Sequence, residues 1–90
     1  MELSVNEQYS ESKKYSDDIM SKVTVVLDEN QIEYDVKSDG SEIVVTDKNQ
    51  SKDSLQDTIY ANIDVPKMVC LLLLDMIEVN NSIYIRQKTK

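Results

Sequence analysis

The sequence contains no histidine, tryptophan or phenylalanine, and its 90 residues include one glycine, one proline and one cysteine. Without histidine, the commonest general acid/base and the commonest zinc ligand are both missing. A single cysteine excludes an intramolecular disulfide and a thiolate metal cluster, and it fits a reducing compartment. Cys70 lies among leucines, where burial raises a thiol's pKa and leaves it inert, so a core role is expected. One glycine cannot build a Gly-rich phosphate cradle. The serines at 10, 12 and 51 lie near lysines but have no histidine partner, and they read as loop composition. No catalytic residue, cofactor site or metal site is expected, and the chain is not expected to be an enzyme.

The missing aromatics also shape the core, which must be built from Val, Ile, Leu and Met with the five tyrosines at its margins. A chain of this length makes one domain that buries roughly 60–65% of its unfolded surface. The longest apolar run, 68–74, is far short of the ~20 residues that span a bilayer. Met1 is followed by Glu2, Asn6 and Glu7, with neither the basic start nor the apolar stretch of a signal peptide. The cytoplasm is the expected location, with no membrane contact.

What is abundant is negative charge. Ten basic and seventeen acidic residues give a net charge of −7. Residues 1–47 carry twelve acids against four lysines, a net of −8, whereas 48–90 carry five acids against six bases, a net of +1. A phosphate backbone is repelled by the first half and weakly attracted by the second, so no direct nucleic-acid binding is expected. The same charge leaves room for a partner with a basic protein surface, or for a protein that normally holds nucleic acid, which the acidic half would mimic. The carboxylates expected to face it are Asp28, Glu29, Glu33, Asp35, Asp39 and Glu42. The plainer use of the acidity, and the first expectation for a small acidic protein, is solubility. Nine lysines to one arginine, with many Asn and Ile, point to an AT-rich coding source such as a low-GC bacterium or its phage and mobile elements.

Periodicity predicts a small α+β domain in the order α-β-β-α-α-β over 15–87. A weakly ordered arm (1–14) precedes it and a basic tail (88–90) follows. Ser16, followed by Asp17 and Asp18, reads as the start of a helix. Tyr15, Ile19, Val23, Val26 and Leu27 follow its face. The β-branched stretch 23–27 also suits a strand, but the upstream cap and Asn30 downstream favour helix. Ile32, Tyr34 and Val36 alternate with Glu33 and Asp35 as a strand does, and Ile43, Val44 and Val45 form a second. Asp39-Gly40 between them signals a hairpin, with Gly40 supplying a positive φ. Asp53 and Gln56 read as a capping box for a helix carrying Leu55, Ile59 and Ile63. Pro66 opens another helix, expected over 66–79 and ended by Asn80-Asn81. Residues 82–86 read as the third strand of a three-stranded sheet that contains the hairpin and is packed by helices.

This order of elements resembles the type II KH arrangement, a nucleic-acid-binding fold that relies on a Gly-x-x-Gly loop. The corresponding junction here reads Asn62-Ile63-Asp64-Val65-Pro66 and lacks both glycines. The resemblance therefore implies nothing about RNA. Asp17-Asp18 and Asp28-Glu29 make poor chelates, because adjacent helical residues point about 100° apart. A calcium-loop pattern starting at Asp35 fails at Lys37 and Thr46.

A helix apolar on nearly every side needs cover on every side. Met68, Leu71, Leu72 and Met76 are the residues expected to meet a partner if the domain alone cannot supply it. The function expected from these features is that of a small acidic protein-binding protein, an inhibitor, antagonist or regulatory adaptor of a larger protein. The alternative is an assembly subunit that works as a homo-oligomer.

Overall fold

The stretch from Leu74 to Val79 alternates inward and outward, and that alternation makes it a strand rather than the end of a helix. The structure, a computed structural model, describes residues 15–88. Its elements are α1 (Ile19–Glu29), β1 (Tyr34–Val36), β2 (Glu42–Val45), α2 (Lys52–Asn62), α3 (Lys67–Leu73), β3 (Leu74–Val79) and β4 (Ser82–Gln87). The domain is thus α+β as expected, but with four strands instead of three and the order α-β-β-α-α-β-β. The expected arm 1–14 and the last two residues of the tail lie outside the described residues.

All strands are antiparallel, in the order β1-β2-β4-β3. Ile43, Val45, Ile83, Ile85, Leu74 and Met76 point to one face and join the core. Ile19, Val23, Val26 and Leu27 of α1 close over that face, with Leu55 and Ile59 of α2 and Val69, Cys70 and Leu73 of α3. The 23–27 stretch is helical, as the cap argument favoured. Tyr15, Tyr34 and Tyr60 sit at the margin of this core.

The helix expected over 66–79 ends at Leu73. The domain cannot surround a helix that long and that apolar, whereas a strand divides the same residues between two faces. Asn80 (φ 51) and Asn81 (φ 67) are both left-handed, the requirement of a two-residue type I′ turn, so they close the β3–β4 hairpin rather than cap a helix. The helix-to-strand junction is pinned by Lys88. Its N–H donates to Leu73 O at 2.7 Å and its Nζ to Leu71 O at 3.0 Å. The ammonium also meets the negative end of α3.

Four local details differ from expectation. Asp18 rather than Ser16 stands at the N-cap of α1. The left-handed residue after α1 is Gln31 (φ 58), one position beyond Asn30. The strand expected over 32–36 begins at Tyr34, although Ile32 is buried. The cap of α2 is Ser51, whose Oγ accepts from Ser54 N at 3.1 Å. In place of a local capping box, Glu78 reaches from β3 and accepts from Lys52 N at 3.0 Å. That long-range cap has no local signature.

Leu71→Ala, Leu72→Ala, Leu73→Ala and Leu74→Ala should fall into two classes. Leu73 and Leu74 are buried and should each cost about 2–5 kcal/mol, whereas Leu71 and Leu72 are exposed and should stay within about 0.5 kcal/mol, by denaturant unfolding. Gly40 has φ 74 and open space where a Cβ would stand, so its replacement costs backbone strain alone. Gly40→Val should lose about 1–2 kcal/mol, and Gly40→Asn distinctly less.

Candidate functional site

Two surfaces stand out, one acidic and one apolar, at opposite edges of the sheet. The acidic one is built where α1 runs into β1. Helix α1 has no basic residue in its last turn and instead ends on Asp28 and Glu29, at the negative end of the helix dipole. The chain then turns at Gln31 and places Glu33 and Asp35 on exposed positions. Asp28, Glu33 and Asp35 line an open groove of about 550 Å³ with Ile32, Tyr34 and Thr46. Tyr34 donates its hydroxyl to Asp28 Oδ1 at 2.8 Å, tying the helix end to the edge strand. Among the described residues none of Asp28, Glu29, Glu33 and Asp35 forms an ion pair.

The other two expected acids are placed differently. Asp39 lies at the tip of the hairpin, where its Oδ1 accepts from Ser41 N (3.0 Å) and Ser41 Oγ (2.6 Å). Those hydrogen bonds hold its carboxyl below the ordinary carboxylate value. Glu42 is 8% exposed and bridges Lys37 (3.5 Å) and Arg86 (3.3 Å) on the uncovered face of the sheet. Its charge is spent within the fold, so it contributes little to an external field.

The apolar surface follows the short helix. Met68, Leu71 and Leu72 fall on one side of α3 at 47%, 49% and 45% exposure, while Val69, Cys70 and Leu73 face the core. Met76, expected to join them at a partner surface, lies buried in β3 instead, because its segment is a strand and its side chain points inward. The uncovered sheet face adds a band that sequence reasoning missed. Val44, Tyr84 and Ile77 stand in register across β2, β4 and β3, all half-buried. Their signal is the alternation of Tyr84 with Ile83 and Ile85. It becomes legible only once 74–79 is recognised as a strand.

Among the described residues no group of three or more cysteine or acidic side chains could hold a metal ion, and no helix is long and apolar enough to cross a membrane. Cys70 is fully buried, and desolvation raises its thiol above the ordinary value. No protein-family model, curated protein or solved structure matches the chain. Its class is therefore defined by the fold alone, which among the described residues is a four-stranded antiparallel sheet with three helices packed on one face.

Two expected outcomes follow from the charges. Glu29→Lys places a cation at the helix C-terminus and should raise stability by about 0.3–1 kcal/mol at low salt, an effect that salt should screen. The Tyr34 hydroxyl is raised above its ordinary value, first by its hydrogen bond to Asp28, then by burial and by the Asp28 charge. Burial raises Tyr60 and Cys70 as well. The folded form thus holds these protons more tightly than the unfolded one. Their contribution is complete below the unfolded values of 9.0 for Cys and 10.0 for Tyr, and it is lost as pH rises through the folded ones. The thermal midpoint should decline above about pH 9, and Tyr34→Phe should decline less steeply above about pH 10.

Proposed function

We propose that this chain is a non-enzymatic binding protein whose acidic edge, built from Asp28, Glu29, Glu33 and Asp35, occupies a basic surface on a larger protein as an inhibitor, antagonist or adaptor. The observation that carries this reading is the placement of uncompensated carboxylates at a helix C-terminus. Folding alone disfavours acids there by a few tenths of a kcal/mol to about 1 kcal/mol each. Solubility would be served equally by acids at the N-termini of helices, where they stabilise. Concentrating them at the negative pole instead produces a focused field, which accelerates encounter with a positively charged partner.

The absence of histidine, the buried thiol of Cys70 and the single glycine support the non-enzymatic part of the reading. A narrower form has the partner's basic surface as one that normally holds nucleic acid. The proposed setting is the cytoplasm, which the lone cysteine favours.

The test is capture of partners on immobilised wild-type protein, followed by association rates over a salt series. For a captured partner the rate should fall steeply as the Debye length shortens to about 8 Å and below. The double variant Glu33→Lys/Asp35→Lys should associate several-fold more slowly while its unfolding curve stays unchanged. A flat salt response for wild type and variant alike would assign the acidity to solubility, and the nucleic-acid-mimic form would fall with it.

A further inference from the structure

The acidic surface coincides with an edge of the sheet, because β1 is paired on one side only. Thr46 N–H donates to Glu33 O at 3.1 Å and Lys37 N–H to Glu42 O at 3.0 Å, which fixes the alternation of the β1–β2 ladder. Residues 33, 35 and 37 therefore bond inward to β2. The N–H and C=O groups of Tyr34 and Val36 face away from the sheet, and among the described residues nothing bonds to them. Beside this edge α1 presents Met20, Thr24 and Asp28, which stand at four-residue steps along one line of the helix. Met20 and Thr24 line an open groove of about 300 Å³ with Tyr34 and Val36, and Asp28 lines the acidic groove that shares Tyr34 with it. Val36 is 46% exposed although Ile43, its partner on β2, is fully buried. The apolar row that crosses the sheet through Ile43 thus reaches the edge without cover.

Granted that the acidic edge binds a basic surface, we infer that its occupant is an extended segment of the partner, alternating basic and apolar residues, which pairs antiparallel with β1 as a fifth strand. The side chains of the edge alternate in the matching way. Tyr34 and Val36 point to the helix-covered side, opposite Val45 and Ile43, whereas Glu33 and Asp35 point to the uncovered face. An added strand sets its own side chains directly across from these. Lysine or arginine then meets Glu33 and Asp35, which have no ion-pair partner among the described residues, and an apolar side chain meets Val36. Antiparallel addition continues a sheet whose ladders are all antiparallel. Backbone bonds from Tyr34 and Val36 supply affinity, and the alternating side chains supply selectivity.

Charge excludes a second copy from this position. Its β1 would set Glu33 and Asp35 against the same acids, and its β3 would bring Asp75 and Glu78. Acids on an edge strand deter pairing with chains of like charge. The residues that close this edge to self-association therefore leave it open to a basic strand. A flat basic surface would meet the carboxylates alone and leave the backbone groups of Tyr34 and Val36 to water.

The probe is a short end-blocked peptide alternating lysine and valine, titrated into the intact chain. It should bind more weakly as salt rises, and it should slow amide exchange at Tyr34 and Val36. The same peptide N-methylated at its valines keeps every charge but loses the N–H groups that donate to Tyr34 O and Val36 O. It should bind at least about tenfold more weakly, since each backbone bond contributes a factor of several. Val36→Pro removes an outward N–H, a change that edge strands tolerate, and should weaken the unmethylated peptide several-fold with the acidic charges unchanged. Should that variant misfold, the pair of peptides decides. Equal binding of the two peptides overturns strand pairing while leaving the charge-based reading of the edge intact. Failure of both peptides to bind overturns it as well, and the salt series on a captured partner then judges the acidic edge separately.

Discussion

The architecture turns on the junction at Leu73–Leu74, where an apolar run stops being a helix and becomes a strand. On the helical side, Val69, Cys70 and Leu73 enter the core. On the strand side, Leu74 and Met76 do so with a different period. The two Lys88 hydrogen bonds hold the last carbonyls of α3 and open the β3–β4 ladder in one step. Everything downstream depends on it: the fourth strand, the identity of the free edge, and the exposure of Met68, Leu71 and Leu72. Glu78 returns the connection by capping α2, so helix and hairpin stabilise each other.

One-sided packing is the second consequence. Helices cover a single face, and the other is finished by side chains alone, with Lys37, Glu42 and Arg86 forming a charged row beside the apolar band of Val44, Tyr84 and Ile77. The Glu42–Arg86 pair sits at a non-hydrogen-bonded position of the β2–β4 ladder, where opposed side chains approach most closely. This row neutralises charge in the middle of the sheet. Asp28, Glu33 and Asp35 are left without ion pairs near the β1 edge, and near the β3 edge the exposed Met68, Leu71 and Leu72 of α3 accompany the exposed Asp75 and Glu78 of the strand. A domain polarised in this way presents two chemically different surfaces on a rigid frame.

Much of this was legible in the residues. The faces of α1 and α2, the strand 43–45, the final strand and the left-handed Gly40 follow from local period and turn chemistry. Of the acids expected at the surface, Asp28, Glu33 and Asp35 share one groove, Glu29 lines a separate one with Lys22 and Asp64, and Glu42 pairs with Arg86 on the uncovered sheet face. That pairing joins residues 44 apart and leaves no local trace. The misread segment was 74–79. Its leading leucines are strong helix formers, and its alternation is blurred because Glu78 lies on the inner face while Ile77 and Val79 lie on the outer. Asn80-Asn81 was ambiguous too, since asparagine serves both as a helix stop and as a left-handed turn residue. Tertiary pairing with Ser82–Gln87 decided between them.

The fate of residues 74–79 is therefore the most direct point of test. Nuclear Overhauser spectra of the folded chain should show close Hα–Hα contacts between Leu74 and Gln87, between Met76 and Ile85 and between Glu78 and Ile83, the non-hydrogen-bonded pairs of β3 with β4. The 13Cα shifts should be extended from Leu74 to Val79 and helical from Lys67 to Leu73. Helical shifts continuing to Val79, without those cross-strand contacts, would contradict the account at its base. The four-stranded sheet, the free β3 edge and the apolar band would all be lost with it.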